Sequence, residues 1–344
     1  MSEPMHRGAE ALGALPTSLD PMALSLNENP FPPLPSVRSA LSASIEAANR
    51  YPEYLPERLR SLIAGHTGLC DEQVVVGAGA TGVIMQVLHA VTDPGDRIVM
   101  ATPTFDGYPI FAQMARLESV PVALDAHGHH DLDAMVWAAT GARVVVVCRP
   151  HNPTGTVEHG AELERFLRRL SPETVVLLDE AYAEFLAPEC RMDAVGLVAR
   201  HPNVVVLRTF SKAYGLAGLR IGYGFCAPQL ARRLWSMQLP FGVAITALVA
   251  VAASFDAEAE LCQRIRMITS ERRHLRMRLR SMGVYSTESN ANFVYVPDCG
   301  RGWGQVFETN GVRVRQYADG GVRITVGDRR STRAVVAAVA QAMR

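Results

Sequence analysis

Six short segments of the sequence are apolar almost throughout and rich in β-branched residues. A half-buried strand would instead alternate apolar and polar side chains. Strands that are buried on both faces have this composition, which is typical of a parallel sheet covered by helices on each side. Helical stretches separate the segments, and this alternation predicts an α/β domain of about 190 residues. The predicted strands are residues 74–77, 97–100, 143–148, 174–179, 203–209 and 220–225.

The composition changes near Pro240. Residues 245–282 predict one long helix rich in arginine and methionine, and residues 291–296 and 321–326 predict strands of a second domain. The predicted fold is therefore α/β, with a mostly parallel sheet covered by helices on both faces and a smaller α+β domain beside it. The predicted parts are an N-terminal arm joining the small domain over 1–45, the large domain over 46–240 and the small domain over 241–344.

The charge balance of the chain argues against several kinds of partner. Lys+Arg and Asp+Glu both number 34, so neither a nucleic acid nor an anionic membrane is expected to bind. No apolar run reaches the roughly 18 residues that span a bilayer, and the N-terminus (MSEPMHRGAE) lacks a signal-peptide core. We therefore expect a cytoplasmic protein. Residues 127–131 (HGHHD) predict a polar loop and no metal site, because no clear carboxylate or Cys/His set completes one.

Among the 34 basic residues only one is a lysine, Lys212. Arginine keeps its proton at physiological pH, so it cannot become the neutral amine that attacks an aldehyde. If the protein forms an imine through a side chain, Lys212 is the only candidate. Drift in a GC-rich genome could leave a single lysine, but the residues around Lys212 favour a functional role.

Two of the turns that follow predicted strands have the composition of an anion site. In open parallel sheets, ligands bind beyond the carboxyl ends of the strands, so functional residues are expected in these turns. Residues 77–82 (GAGATG) precede a helix whose N-terminal amides attract an anion, and Thr81 adds a hydroxyl. Ser211 and Arg220 flank a glycine-containing loop, and Arg220 can hold a phosphate through two parallel hydrogen bonds.

Three further turns carry side chains suited to a planar ring. Phe105 follows the second predicted strand, and it could stack on such a ring or belong to the core. Asn152 lies in a turn fixed by proline and glycine, which presents its amide. Asp179 ends a buried strand, and a buried carboxylate needs a cationic partner to stay ionised. A protonated pyridine nitrogen is such a partner.

These turns, in this order, resemble those of the fold-type I aminotransferases that depend on pyridoxal 5′-phosphate (PLP). The likeness is greatest to the histidinol-phosphate and the aromatic amino acid aminotransferases, and it extends from about Asn27 to Arg330. It implies the PLP transferase fold type I and amino-group transfer between an amino acid and a 2-oxo acid. The most specific motifs are N-P-T-G (152–155), D-E-A-Y (179–182), S-K-A-Y-G-L-A-G-L-R (211–220) and R-I-T-V-G (323–327).

The resemblance also implies a role for each matching residue. Lys212 would carry PLP as a Schiff base and transfer protons, and Asp179 would pair with the pyridine nitrogen. Asn152 and Tyr182 would bind the phenolic oxygen of the ring, on which Phe105 would stack. The implied phosphate contacts are Ala80, Thr81, Ser211 and Arg220, joined by Tyr51 from the neighbouring subunit of a homodimer.

The implied substrate contacts are Asn29, Phe31, Arg315 and Arg323. Arg323 would bind the substrate carboxylate. Phe31, Arg313 and Arg315 would shape the distal pocket. Phe31 stands where many histidinol-phosphate enzymes carry a tyrosine whose hydroxyl helps to bind the substrate phosphate, and losing such a hydrogen bond costs about 1.5–3 kcal/mol. We therefore expect aromatic amino acids to be transaminated at least as well as histidinol phosphate.

Two other functions remain open on the same scaffold. One is another fold-type I PLP enzyme, such as a threonine-phosphate decarboxylase. The other is a PLP-binding protein that serves as a regulatory or structural module without catalysis. The intact set of lysine, aspartate, asparagine and arginine favours an enzyme over such a module.

Overall fold

The computed structural model describes residue 16 and residues 19–344, which form two β-sheets. The strands of the larger sheet come from the middle of the chain, and those of the smaller sheet come from its two ends. In chain order the strands are β1 (Ala23–Leu24), β2 (Val74–Ala78), β3 (Arg97–Thr102), β4 (Glu118–Ala123), β5 (Val144–Cys148), β6 (Val175–Asp179), β7 (Val204–Thr209), β8 (Ile221–Phe225), β9 (Phe293–Val296), β10 (Arg313–Gln316) and β11 (Val322–Thr325).

The larger sheet is mostly parallel, and this prediction is confirmed. Its strand order is β2-β8-β7-β6-β5-β3-β4, with β8 antiparallel to both neighbours and the other pairs parallel. The sequence does not predict β4. This strand lies at the edge of the sheet, where most of its residues are exposed or half-buried and Pro121 is tolerated, so it lacks the uniform apolar composition of the buried strands.

The described residues form twelve α-helices. Two of them stand where the sequence predicts one helix over residues 245–282, and that expectation is wrong. The helices meet at Ala257, whose backbone leaves the helical region, and alanine gives no signal of a break because it is the best helix former. The helices are α1 (Pro35–Ser44), α2 (Glu57–Thr67), α3 (Gly79–Val91), α4 (Gly107–Met114), α5 (Leu132–Ala138), α6 (Gly160–Arg169), α7 (Ala194–Arg200), α8 (Pro228–Trp235), α9 (Ile245–Asp256), α10 (Glu258–Ser281), α11 (Trp303–Thr309) and α12 (Arg329–Ala342).

Alternate residues of the central strands enter two different hydrophobic cores. In β5, Val145 and Val147 pack into one core, and Val144 and Val146 pack into the other. Every residue of β5 and of β6 is buried, which explains why these strands are apolar on both faces. Because both faces are packed, the positions of the residues that follow each strand are fixed as well.

The N-terminal segment joins the smaller sheet and then turns toward the larger one. Its strand β1 pairs in parallel with β10, whereas the pairs β10–β11 and β11–β9 are antiparallel. Beyond β1, the Asn27 amide donates to Thr325 Oγ1 at 2.9 Å, and the Asn29 side chain donates to the Ala213 carbonyl at 2.9 Å. The predicted domain boundaries, after residues 45 and 240, stay predictions. Across residues 16 and 19–344, no helix is long and apolar enough to cross a membrane.

Candidate active site

Asp179 is the last residue of β6 and is buried. Its Oδ2 accepts a hydrogen bond from the Tyr108 hydroxyl at 2.6 Å, and its Oδ1 accepts one from the Ala181 amide at 2.9 Å. Burial raises the pKa of Asp179, and these two hydrogen bonds oppose the shift. Both donors are neutral, so they orient the carboxylate without balancing its charge. A cation bound beside Asp179 would favour its ionised form.

The Asn152 side chain connects the larger sheet to the smaller one. Its Oδ1 accepts hydrogen bonds from Arg323 Nη1 at 2.6 Å and from the Tyr317 hydroxyl at 3.4 Å. Its Nδ2 donates to the Tyr182 hydroxyl at 3.5 Å, which also accepts a bond from Asn27 Nδ2 at 3.0 Å. Burial raises the pKa of Tyr182, so its hydroxyl stays protonated at neutral pH.

Arg323 is a buried arginine whose partners are all neutral groups. Besides Asn152, its Nη1 donates to the Tyr317 hydroxyl at 3.0 Å, and its Nη2 donates to the Ser25 carbonyl at 2.6 Å. Its Nε is buried and has no partner among residues 16 and 19–344. Because a buried charge is costly without a counter-charge, this position is complementary to an anionic ligand.

Charged groups of the site affect the pKa of the Lys212 amine. Its Nζ donates to the Leu26 carbonyl at 3.0 Å, and the Asn29 side chain donates to the Lys212 carbonyl at 3.2 Å. Burial lowers the pKa of Lys212 to about 8. The positive charges of Arg323 and Arg220 contribute to this lowering, whereas nearby carboxylates oppose it. At pH 7 about a tenth of this amine is therefore neutral, compared with about one part in three thousand for an ordinary lysine.

The N-terminus of α3 and the Arg220 guanidinium form a small anion cradle. Arg220 has a left-handed backbone with φ 50°, and its Nη1 lies 3.5 Å from Ser211 Oγ. A Cβ atom on Gly79 would lie 2.5 Å from Arg220 Nη2, so glycine is what allows the guanidinium to reach the helix. No side chain caps α3, which leaves the amides of its first turn, including those of Ala80 and Thr81, for a ligand.

Two residues to which sequence reasoning assigns no role support the ring-facing turns. Tyr108 donates to Asp179 and also meets the Phe105 ring edge-on, with ring centres 5.3 Å apart. His151 Nε2 lies 3.0 Å from the Pro103 carbonyl and therefore carries the proton, which ties the turn of Asn152 to the turn of Phe105. Burial lowers the pKa of His151 to about 3, so this ring is neutral.

The polar loop over residues 127–131 packs against the turn that carries Asn152. The Gly128 carbonyl accepts hydrogen bonds from Thr154 Oγ1 and Thr156 Oγ1, each at 2.7 Å. Among the residues that the structure describes, no group of three or more His, Cys, Asp or Glu side chains is arranged to hold a metal ion. The geometry gives this loop a supporting role.

The predicted distal residues each have a different partner. Phe31 lies beside α10, where the Arg264 guanidinium carbon is 5.8 Å from the centre of its ring. Arg313 pairs with Asp20 of the N-terminal segment. Arg315 pairs with a carboxylate at the start of α4. Their predicted roles in shaping a substrate pocket stay predictions.

Tyr51 lies on the surface, with 82% of its area exposed. Its ring centre is 4.9 Å from that of Phe241, which Tyr54 meets edge-on at 5.3 Å. Within one chain these contacts form an exposed aromatic cluster. The predicted reach of Tyr51 into a neighbouring subunit stays a prediction.

Known sequences define the family of this chain. The family model for aminotransferase class I and II matches residues 20–339. An aromatic amino acid aminotransferase of Cutibacterium acnes is 43% identical over 319 residues, which cover 91% of this chain and 90% of that protein. One of Streptomyces avermitilis is 43% identical over 308 residues, covering 89% and 86%. The chain belongs to the aminotransferase class I and II family.

Solved structures share the whole architecture. The histidinol-phosphate aminotransferase from Sinorhizobium meliloti, in complex with pyridoxal-5′-phosphate, superposes with a TM-score of 0.87 at 24% identity, over 99% of this chain and 98% of that one. A mutant aspartate aminotransferase of Thermus thermophilus gives 0.83 at 19% identity, over 96% and 99%. At these identities the likeness establishes the fold. The predictions of a fold-type I architecture and of an aminotransferase are confirmed.

Proposed function

We propose that this aminotransferase binds PLP at Lys212 and transfers the amino group of aromatic amino acids to a 2-oxo acid. The observation that carries the proposal is Lys212 itself. It is the only lysine of the chain, and burial and neighbouring arginines lower its pKa to about 8. An amine with this pKa has the neutral form needed to attach a carbonyl cofactor.

The residues present fit PLP at both ends of that molecule. The cradle of Arg220, Ser211 and the α3 N-terminus suits a phosphate, because the uncapped amides of α3 and the guanidinium lie together, with Gly79 allowing their close approach. Asp179 suits a pyridine nitrogen, because its present donors leave the negative charge unbalanced. Bound there, PLP would supply a protonated pyridine ring that withdraws electrons from the substrate Cα.

With PLP bound there, each side chain around its ring has a role that the position of the side chain supports. Asp179 would hold the proton on the pyridine nitrogen, and the Tyr182 hydroxyl and Asn152 Nδ2 would donate to the phenolic oxygen. Lys212 Nζ would take the proton from the substrate Cα and deliver it to the carbonyl carbon of PLP that receives the amino group, for which a pKa near neutral pH is suited. Arg323, held only by neutral oxygens, would bind the substrate carboxylate.

The choice of aromatic substrates is supported by two observations. The relatives that are 43% identical are aromatic amino acid aminotransferases, and Phe31 offers a ring where a hydroxyl would help to bind a substrate phosphate. The test compares kcat/KM for phenylalanine, tyrosine, histidinol phosphate and aspartate under one set of conditions. We expect the aromatic amino acids to be used at least as well as histidinol phosphate. A preference for histidinol phosphate above about a hundredfold would contradict this, because one lost hydrogen bond cannot account for it.

We further propose a homodimer with shared sites, supported by the exposed cluster of Tyr51, Tyr54 and Phe241. If Tyr51 completes the site of its neighbour, a mixed dimer of Lys212→Ala and Tyr51→Phe contains one intact site. In each parent homodimer both sites are impaired, so mixing equal amounts of the two variants should then raise the activity to at least about a quarter of that of the wild type. No activity above that of the parents after re-equilibration would count against a shared site.

A further inference from the structure

Arg315 and Arg323 lie side by side on the smaller sheet. They are directly paired in the antiparallel register of β10 and β11, so their side chains leave the same face of the sheet. Tyr317 shares that face and bonds to Arg323. Arg323 is buried, whereas 46% of the Arg315 side chain is exposed. A second guanidinium therefore stands next to the proposed carboxylate-binding arginine, on its solvent side.

The two arginines differ in their partners. Arg323 is held by neutral oxygens, whereas Arg315 Nη2 lies 3.0 Å from Asp106 Oδ2. At that distance the opposite charges of Arg315 and Asp106 largely cancel, so an incoming anion is attracted only weakly by the pair. Arg315 and Arg323, taken together with Asp106, therefore offer an incoming anion about one net positive charge, although two guanidinium groups are present.

The Asp106 side chain pairs with Arg315 instead of capping the helix that follows it. Asp106 is the N-cap residue of α4, where an aspartate side chain commonly accepts a backbone hydrogen bond. Here the side chain makes no capping bond, and its carboxylate instead faces Arg315 on β10. Because Asp106 directly follows Phe105, the ion pair links the smaller sheet to a turn that is proposed to face the cofactor ring.

We propose that Asp106 is a specificity-determining residue, which neutralises Arg315 and so matches the neighbouring pair of Arg315 and Arg323 to a single carboxylate rather than to a phosphate monoester. This inference rests on the proposed function and names the class of anion that its site accepts. A carboxylate binds Arg323 and leaves the pair of Arg315 and Asp106 intact. A phosphate monoester is larger and carries up to two charges, so it draws on both arginines and must compete with the Asp106 carboxylate.

Two ligands without an amino group isolate the effect of the anionic end. 3-Phenylpropionate and 3-phenylpropyl phosphate share a phenyl ring, and neither can undergo amino transfer. Their dissociation constants are measured by calorimetry on the PLP-loaded protein for the wild type, Asp106→Asn, Arg315→Gln and the double variant. In Asp106→Asn the phosphate should bind about five- to tenfold more tightly, while the carboxylate changes less than about twofold. The double variant should lose this gain, because the gain is made through Arg315.

A matched control removes a different exposed carboxylate. Asp133 pairs with Arg169 between α5 and α6, and Asp133→Asn should leave both dissociation constants unchanged. Unchanged phosphate binding in Asp106→Asn, equal tightening of both ligands, or a gain that persists without Arg315 would overturn the proposal. The proposed function is judged separately, by turnover of aromatic amino acids in the wild type, so the two failures are distinguishable.

Discussion

The inner and outer halves of the site are built in different ways. Around Asp179 and Asn152, buried side chains bond to one another at 2.6–3.5 Å. Around Arg313 and Arg315, partly exposed side chains form ion pairs at the surface. Buried polar groups are costly without partners, so the inner residues constrain one another, whereas exposed pairs contribute about 0–1 kcal/mol. We therefore expect inner substitutions to slow the reaction and outer ones to change which substrate is used.

The largest effect is expected at Asp179. Asp179→Asn keeps the shape of the side chain but removes the charge that would hold a proton on the pyridine nitrogen, so kcat should fall by about 10²–10⁴-fold. Steady-state kinetics measure this loss, and thermal unfolding of the same sample shows whether the fold is retained. Turnover near the wild-type rate would mean that Asp179 is not the partner of the ring.

A smaller effect is expected at Tyr108, which donates a hydrogen bond to Asp179. The Tyr108 hydrogen bond lowers the pKa of Asp179, so Tyr108→Phe should raise that pKa further. Asp179 would then become protonated at a higher pH, and activity would be lost earlier as the pH falls. At neutral pH we expect kcat to drop about tenfold, as for one hydrogen bond to a charged group.

The pH–rate profile is the measurement that separates this account of Tyr108 from a packing defect. The same change at an exposed tyrosine, Tyr285→Phe, is the matched control and should leave the profile unchanged. A Tyr108→Phe enzyme that is less stable but keeps the wild-type acid limb would show that the hydroxyl acts on packing alone.

The smallest effect on turnover is expected in the outer half, at Phe31. Phe31→Tyr adds a hydroxyl to a ring whose centre lies 5.8 Å from the Arg264 guanidinium carbon, and it should change kcat for phenylalanine less than about twofold. It should improve kcat/KM for histidinol phosphate by at most about a hundredfold, the range of one hydrogen bond to a charged group. A loss of phenylalanine turnover comparable to that of Asp179→Asn would remove the distinction between the two halves.

How far the sequence predicts the site follows from the same distinction. Asp179 ends a strand that is recognisable by its apolar run, and Asn152 and Lys212 follow two others, so their meeting at one edge of the sheet is predictable. The roles of Tyr108 and His151 are not predictable, because each acts through a partner in a different segment of the chain, and Tyr108 lies 71 positions before Asp179.

The outer half was less predictable for a physical reason. Exposed residues carry no burial pattern, and ion pairs such as that of Arg315 with Asp106 join residues that only the folded chain brings together. The edge strand β4 is not predictable for the same reason, because its exposed residues do not form an apolar run. In both cases the sequence lacks the apolar pattern that marks buried residues.

The most direct test of the central claim is to find where the cofactor attaches. Holoenzyme is reduced with borohydride and the modified peptide is mapped, with Lys212→Arg as a control that keeps the charge but has no neutral amine. We predict a single label on Lys212, formed faster as the pH of loading is raised through about 8, where this amine loses its proton. A label at the α-amino group instead, or equal labelling of the Lys212→Arg variant, would contradict the account.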